Sequence, residues 1–524
     1  MTAVPTPSTG TIECQLLVIG GGSTGVGAAW DAALRGLRVV LAERGDLATG
    51  TTGRFHGLLH SGARYVVGDP AAARQCAREN EILRQVATAT IEDTGGLFVS
   101  TPEDDPEYAD RFLAGCHRAG VPVEEISVSQ ALRREARLNP RVRRAFSVRD
   151  GSIDSWKLVW ACAKGAELRG ARILTYHPVI ALLREGDRVI GARLHDLRAH
   201  RDVEVRAQCV INAAGVWSGH VAQLAGCDVG VQPGKGVMVA VNHRLANSVI
   251  SRCNMPGDGD ILVPSHSVSV IGTTDTPVTD PDDTEPTAEE VAKMMAAGDV
   301  LIPGFSQTRV LRVWAGARPL LPQNGGRTGE DRDITRSYTV IRHAQRDGIA
   351  GLISVTGGKL TTYRLMAEDA VDAACAELGV VRPCTTAESP LPGSAEPHHY
   401  RLSDHQREFE RRIDGPTVCE CELVSSSELV TAVRDHPQAD IDDLRRLLRI
   451  GMGPCQGGFC TFRAAGILHG CGEYDRHRAN SALRRFVEER WRGQRPALWG
   501  QQLRQARLDA WIFQGVLDVE HLPS

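Results

Sequence analysis

The chain has 524 residues, of which 42% are apolar and 24% charged, with a formal net charge of -4. This length allows two to four domains of about 150 residues each, and the mildly negative charge argues against nucleic acid as a partner. No apolar run approaches the roughly 18 residues that a membrane-spanning helix needs, and the first residues lack the basic and apolar regions of a secretory signal. We therefore expect a cytoplasmic protein with no membrane-spanning segment of its own.

The first strong pattern, residues 14–43, reads as a buried strand at 15–19, a glycine-rich turn, a helix and a second strand at 37–42. Gly20, Gly22 and Gly25 have G-x-G-x-x-G spacing, and the second strand ends on Glu43, 18 residues after the last glycine. Such glycines let the backbone approach a pyrophosphate at a helix N-terminus, and the acid suits a ribose hydroxyl. The pattern predicts a Rossmann-like dinucleotide site.

The next segment, ATGTTGRFHGLLHSGARYV, is too rich in Gly, Thr and Ser for a regular helix. In flavoproteins, a loop at this place tends to wrap the pyrophosphate and the flavin edge. It contains His56, His60, Arg54 and Arg64, although any one of them is equally well explained as a solvated or structurally bonded side chain.

After this loop, predicted helices and strands alternate until about residue 230, where β segments begin to dominate. The predicted helices are 72–86, 153–168, 287–301 and 363–378, and the predicted returning strands are 208–212 and 352–355. From about residue 230 to 347, β segments dominate, which indicates a β-rich substrate or cap domain inserted into the nucleotide-binding domain. Residues 390–397 are rich in Pro and Ser and read as a linker.

Three strand ends, at Gly20, Ala214 and Val355, converge at one edge if the sheet is parallel. A helix that begins near Thr361, with Lys359 beside it, would direct positive charge at a ligand held there. A reduced flavin carries negative charge on its pyrimidine side, and this arrangement would stabilise it. The sequence therefore favours FAD over NAD.

Three arginines stand in strand-end or loop contexts: Arg64, Arg318 and Arg336. Planar guanidinium groups suit phosphate or carboxylate, and two or three that converge would hold a dianion in one pose. Taken singly, each is more often a surface or ion-paired residue.

The cysteines near the C-terminus form two close pairs, Cys419-x-Cys421 and Cys455-x4-Cys460. Two such pairs on glycine-rich turns can chelate one metal centre, and the C-x-C spacing favours an iron–sulfur cluster. A structural zinc site is the alternative, although its pairs are more often spaced C-x2-C.

The segments GGGSTG, VINAAGVWS, IGTTD, GARPL and TGGKLTTYRLMAE resemble those of FAD-dependent glycerol-3-phosphate dehydrogenases of the D-amino-acid-oxidase fold. The tail with CEC and GMGPCQGGFC further resembles the catalytic subunit of the anaerobic enzymes, whose tail is similar to bacterioferritin-associated-ferredoxin-like (BFD-like) [2Fe-2S] domains. The resemblance implies an α/β fold with an FAD-dependent oxidoreductase region at 1–395, most of its cap at about 230–347, a small helical cysteine-rich domain at 416–475 and a helical tail at 476–524.

The resemblance also implies oxidation of sn-glycerol 3-phosphate, with electrons passed to quinone through partner subunits at the inner membrane. Substrate contacts would fall on Arg64, Arg318 and Arg336, and His60 and Lys359 are candidate catalytic bases. The implied FAD contacts are Gly20, Gly22, Gly25, Glu43, Thr51, Thr52, His60, Ser61, Gly62, Ala214, Gly215, Gly358, Lys359, Leu360 and Thr361. The implied cluster ligands are Cys419, Cys421, Cys455 and Cys460.

An FAD-dependent amine or opine-type dehydrogenase is the alternative, because that chemistry shares the fold and can share the tail. An amine substrate would need an acidic or aromatic partner in place of an arginine cluster.

Overall fold

A computed structural model of the chain describes residues 10–321, 337–395, 399, 401–412 and 415–523. The strands in these ranges are β1 (Thr11–Ile19), β2 (Val39–Ala42), β3 (Leu58–Leu59), β4 (Ile91–Glu92), β5 (Gly96–Ser100), β6 (Val123–Ile126), β7 (Arg144–Val148), β8 (Gly151–Ile153), β9 (Arg172–Leu174), β10 (Val179–Glu185), β11 (Arg188–Asp196), β12 (Arg201–Asn212), β13 (Gln232–Val241), β14 (Val249–Arg252), β15 (Ile261–Ser265), β16 (Val268–Gly272), β17 (Thr276–Pro277), β18 (Val310–Leu320), β19 (Tyr338–Arg342), β20 (Leu352–Gly357), β21 (Thr417–Cys419) and β22 (Val424–Ser425). The α-helices are α1 (Ser23–Leu34), α2 (Pro70–Val86), α3 (Pro106–Ala119), α4 (Val128–Arg134), α5 (Ser155–Leu168), α6 (Ser218–Gln223), α7 (Ala288–Leu301), α8 (His343–Arg346), α9 (Tyr363–Leu378), α10 (Leu402–Arg412), α11 (Ser426–Asp435), α12 (Ile441–Leu448), α13 (Cys460–Gly470), α14 (Arg476–Gln494) and α15 (Gly500–Ala510).

The first sheet has eight strands in the order β10-β11-β12-β1-β2-β9, with β20 beside β12 and β19 beside β20. β1 is parallel to both β2 and β12, and β20 is parallel to β12. The carboxyl ends of these four strands therefore meet at one edge, as predicted. Helices α1, α5 and α9 contribute to one buried core with the strands, which confirms the Rossmann-like α/β architecture.

Two predicted strands have different limits in the structure, and pairing explains both. β1 begins at Thr11 instead of residue 15 because its first residues pair in register with β12, a partner more than 190 positions away. β2 begins at Val39 instead of residue 37 because the N–H of Leu37 still donates to Ala32 O, 3.0 Å away, in the turn after α1.

The four predicted helices are found, and each begins within two residues of its predicted start and ends at its predicted end. The helix predicted from residue 153 begins at Ser155, since Ile153 ends β8 and the Asp154 side chain caps the helix by accepting from Lys157 N. α7 follows a capping box formed by Thr287 and Glu290.

The second sheet, which we call the cap sheet, has nine strands in the order β17-β13-β16-β15-β14-β5-β7-β6, with β18 beside β13. It combines the β segments after residue 230 with three strands from 96–148. β19, in contrast, belongs to the first sheet, where it pairs with β20.

The C-terminal part consists of the β21–β22 hairpin and helices α10 to α15, with a core of its own around Leu444, Leu468, Tyr474 and Phe486. The predicted linker is not an extended connection where the structure describes it. Leu391 is buried and its N–H donates to Val86 O; residues 396–397 lie outside the described residues. Within the described ranges, no helix is both long and apolar enough to span a membrane.

Candidate active site and cluster site

A cavity of about 1190 Å³ lies at the carboxyl edge of the first sheet, between this sheet and the cap sheet. Most of the predicted FAD contacts line it: Gly20, Gly22, Glu43, Thr51, Thr52, His60, Ala214, Gly215, Gly358, Lys359, Leu360 and Thr361. Gly25, Ser61 and Gly62 do not line the cavity, and the FAD contacts proposed for them stay predictions. The Ser61 N–H donates to the Asp150 carboxylate at 2.7 Å.

The glycine turn leaves no room for side chains where the cavity meets α1. Gly20 has a φ of 112°, and a Cβ there would lie 2.5 Å from Ala213 O. A Cβ on Gly25 would lie 1.8 Å from Gly20 O, so this residue permits the turn itself. The result is a bare backbone cradle at a helix N-terminus, which fits the pyrophosphate of FAD.

Glu43 lies at the end of β2 and lines the cavity, as the ribose assignment requires. Its carboxylate accepts hydrogen bonds from Gly21 N at 2.6 Å and Gly45 N at 2.9 Å. Burial raises the pKa of this carboxyl, while the two N–H donors oppose the rise. Glu43 therefore braces the glycine turn in addition to facing the place where a ribose would lie.

Arg64 and Arg318, which are far apart in sequence, line this same cavity. Arg64 donates to Asp260 at 3.2 Å and Arg318 donates to Asp275 at 2.9 Å. A guanidinium has five N–H donors, so it can pair with a carboxylate and bind a phosphate at the same time. The third predicted arginine, Arg336, lies outside the described residues.

Lys359 lies in the same wall, with its Nζ 4.8 Å from the centre of the Tyr65 ring. It stands beside the short turn that precedes α9, as predicted for a residue near the reduced flavin. Its ammonium adds a third positive charge to the two arginines of the cavity.

Two histidines face each other in the loop after β2, with ring centres 6.3 Å apart. Burial, together with His56, Lys359 and Arg64, holds the pKa of His60 well below its usual value of 6.5. Burial and the two arginines lower the pKa of His56 to about 3. Both rings are therefore neutral at pH 7. His56 also lines the cavity, within the loop that the sequence predicts to wrap the pyrophosphate and the flavin edge, although no individual contact is predicted for it.

The four predicted cysteines come together in the C-terminal part. Cys419 and Cys455 each interact through hydrogen bonds with both Cys421 and Cys460. These bonds lower the pKa of Cys419 to about 3 and that of Cys455 to about 2, and raise the pKa of the other two thiols. The four sulfurs thus form a closed ring in which two of the cysteines are favoured as thiolates, the form that binds metal.

The spacing of the four sulfurs distinguishes between the two predicted kinds of metal centre, an iron–sulfur cluster and a zinc site. Among the described side chains, no three of these sulfurs lie mutually within 4.8 Å. Four thiolates at about 2.3 Å from one zinc ion would all lie about 3.8 Å apart. Gly453 keeps one side of the ring open, since a Cβ there would lie 2.3 Å from the Cβ of Cys421. The donor set fits a two-iron cluster better than zinc.

A buried ion network joins the cluster region to the flavin region. Arg449 donates to Glu422, next to the ligand Cys421, at 2.9 Å and to Asp154 at 3.2 Å. Asp154 is the N-cap of α5, one residue after a strand that pairs with the histidine loop. The network therefore ties the cysteine ring to the wall of the cavity.

Comparison with protein families agrees with this geometry. The profile for FAD dependent oxidoreductases matches residues 15–364. The chain belongs to this family. A second profile, for BFD-like [2Fe-2S] binding domains, matches residues 417–469. FAD and a [2Fe-2S] cluster are thus the cofactors of this FAD-dependent oxidoreductase.

Individual relatives show which members of the family the chain resembles. The chain is 42% identical to a subunit of the anaerobic glycerol-3-phosphate dehydrogenase of Escherichia coli (strain K12), covering 97% of each chain. It is 40% identical to the corresponding subunit of the Haloferax volcanii enzyme, covering 97% of this chain and 92% of that one. The predicted resemblance to the anaerobic glycerol-3-phosphate dehydrogenases is confirmed.

A solved structure agrees with the fold. The glycerol-3-phosphate dehydrogenase from Bacillus halodurans, complexed with FAD, aligns with 93% of this chain and 97% of its own, with a TM-score of 0.63 and 22% identity. At this identity the match supports the architecture, in which the cavity lies at the strand ends.

Proposed function

We propose that the chain oxidises sn-glycerol 3-phosphate to dihydroxyacetone phosphate. The observation that carries the proposal is the presence of Arg64 and Arg318 in the same cavity as the strand ends that suit a dinucleotide. The relatives described above are named for glycerol 3-phosphate, which supports this substrate. Bound FAD would supply the acceptor for the hydride that leaves C2 of the substrate.

The side chains of the cavity have distinct tasks in this reaction. Arg64 and Arg318 bind the phosphate and orient C2, so that positioning replaces a bimolecular encounter. His60, neutral at pH 7, accepts the proton of the C2 hydroxyl at a ring nitrogen as the C2–H bond breaks. Lys359 stabilises negative charge in the same wall. The C2–H electron pair leaves with the hydride, and the C2–O bond becomes the ketone.

We propose that a [2Fe-2S] cluster held by Cys419, Cys421, Cys455 and Cys460 would supply a route for electrons to partner subunits and on to quinone, with the protein on the cytoplasmic face of the inner membrane. The relatives are themselves named as subunits, which supports a complex with other chains. The cysteine ring and its ion network to the cavity wall support the first step of this route. We propose that the partners provide the membrane attachment.

Replacement of Arg318 tests the substrate assignment. Hydrogen bonds to charged groups contribute about 1.5–3 kcal/mol each, so Arg318→Ala should lower kcat/KM for glycerol 3-phosphate by about 10- to 100-fold. The rate with glycerol, which has no phosphate, should change much less. The measurement is the anaerobic bleaching of the flavin at a series of substrate concentrations.

The matched control is Arg111→Ala, which removes an exposed arginine that pairs with Asp105 on the surface. An unchanged kcat/KM in Arg318→Ala would overturn the assignment and favour the amine-type alternative, whose substrate needs no guanidinium.

A further inference from the structure

More than half of the large apolar side chains that are exposed in the described residues lie in one stretch near the C-terminus. Of the thirteen such side chains that are exposed in the described part of the chain, seven lie between residues 459 and 516. We call six of them the tail patch: Phe459, Trp491, Trp499, Leu503, Leu508 and Trp511. Trp511 is 66% exposed and Trp491 is 50% exposed. Apolar surface of this kind usually marks an interaction site.

Helix α15 has the reverse of the usual amphipathic arrangement. Its buried side includes the polar residues Gln502 and Asp509, whereas Leu503 and Leu508 are exposed. A helix that only covered a core would place its leucines inside. The orientation of α15 therefore presents apolar side chains outward.

The buried side of this patch holds the cluster loop. Asp509 pairs with Arg490 of α14, and Arg490 donates to the carbonyl oxygens of Cys455, at 3.3 Å, and of Gln456. A Cβ on Gly458 would lie 2.9 Å from the Asp509 carboxylate. Three residues of the tail patch, Phe459, Trp491 and Leu508, are the immediate sequence neighbours of this buried group. The patch thus includes the exposed side of the helices α14 and α15, which pack against the cluster loop.

We propose that the tail patch is the docking surface for a protein subunit that carries its own redox centre and takes electrons from the [2Fe-2S] cluster. This inference rests on the proposed function, since it requires that electrons leave through the cluster. Electron transfer needs a short distance, and this surface lies directly outside the cluster loop. Trp and Arg are the residues that most often dominate protein interfaces.

Charge on the patch specifies the partner further. Arg504 and Arg507 are exposed on the same stripe of α15 as the leucines, and the Arg492 side chain is 79% exposed beside Trp491. The partner surface should therefore be apolar at its centre and acidic at its rim. A lipid surface fits less well, because membrane-surface helices separate apolar and basic residues onto opposite faces.

The test compares two electron acceptors, a soluble dye and membrane quinone, with the intact protein. The Trp511→Asp and Leu508→Asp variants should reduce a soluble dye with glycerol 3-phosphate at the wild-type rate, because neither side chain lines the cavity. The same variants should reduce the quinone in membranes of a source strain that lacks this chain at least about tenfold more slowly. Leu168→Asp, at a 70% exposed leucine at the end of α5, is the matched control and should behave as wild type.

Three results would overturn the docking proposal. The first is transfer to these membranes at the wild-type rate in both variants. The second is binding to phosphatidylglycerol vesicles that the variants lose, which would assign the patch to lipid. The third is a wild-type dimer that the variants dissociate, which would assign the patch to a second copy of the chain.

Failure of the proposed function would look different, since the wild-type protein would not reduce the dye with glycerol 3-phosphate. A photo-cross-linking residue at position 511 separates the two questions, because it needs no substrate. It should capture a protein that contains iron or flavin, and capture of lipid or of the chain itself would contradict the proposal.

Discussion

His60 lies among cations, with Lys359 and Arg64 nearby, and this environment determines its protonation state. Its pKa is well below 6.5 because burial and the neighbouring charges disfavour the imidazolium. A neutral imidazole has a lone pair for the substrate proton, whereas a lysine ammonium has none. From the sequence, His60 and Lys359 are both candidates for the base. The environment of His60 favours it as the base.

We expect His60→Gln to lower kcat by about 10²- to 10⁴-fold, the usual contribution of a general base. The lowered pKa also sets the pH profile: the base is lost only when the pH falls through the folded-state pKa. The wild-type kcat/KM should therefore stay level from pH 8 to below 6.5 and fall only in stronger acid. Stopped-flow bleaching of the flavin by glycerol 3-phosphate measures both quantities.

The control for this variant is His117→Gln, which changes an exposed histidine of α3. A wild-type profile that already declines near pH 6.5, or a His60→Gln enzyme with normal kcat, would rule out His60 as the base.

At the scale of elements, α12 attaches the cluster region to the first sheet through charged contacts. Arg446 pairs with Asp46 at 2.7 Å, just beyond the end of β2. Arg449, at the C-terminal end of the same helix, pairs with Asp154 at the start of α5. Both arginine side chains are nearly buried. A buried charge without a partner is costly, so each arginine needs its carboxylate partner.

Removal of one partner from such a network leaves a buried charge. Arg449→Met should lower the free energy of unfolding by about 3–5 kcal/mol, because Glu422 and Asp154 lose their cation. Urea unfolding, followed by the visible absorbance of flavin and cluster, measures the loss. In the variant, the cluster signal should be lost at a lower urea concentration than the flavin signal.

Arg434→Met serves as the comparison, since this arginine of the same region is 63% exposed in its pair with Glu473. Surface pairs contribute about 0–1 kcal/mol. Equal losses in the two variants would show that the buried network does not hold the cluster region in place.

For the whole molecule, two cofactor sites of different chemistry lie in one chain. The cavity lies between the two sheets, and the cysteine ring lies in a region with its own core. Substrate oxidation and electron exit should therefore be separable. This separation is expected of a chain that couples a two-electron cofactor to one-electron carriers.

Cys421→Ser tests the separation by removal of one ligand. The cluster absorbance and its electron paramagnetic resonance signal should be lost, while the flavin should still bleach with glycerol 3-phosphate. Cys471→Ser, at an exposed cysteine outside the ring, should keep both signals. A cluster signal that survives in Cys421→Ser, or a flavin that no longer bleaches, would contradict the assignment.

Local chemistry makes much of this protein predictable from its sequence. The glycine spacing around Gly20 and the small-residue strand end at Ala214 follow from what a backbone needs near a ligand. The helix ends are predictable for the same reason, because caps such as Thr287 act within four residues. The metal site is predictable because each pair of cysteines is close in sequence and can place two sulfur donors on one metal centre.

Features that depend on contacts between distant parts of the chain are determined only by the tertiary structure. The start of β1 depends on pairing with β12, and the cap sheet draws strands from 96–148 that sequence order does not connect to it. The neutral state of His60 depends on burial and on cations from separate segments, and the outward leucines of α15 depend on the burial of Asp509 against Arg490. Sequence pattern reflects short-range geometry, whereas burial and charge environment exist only once the chain has folded.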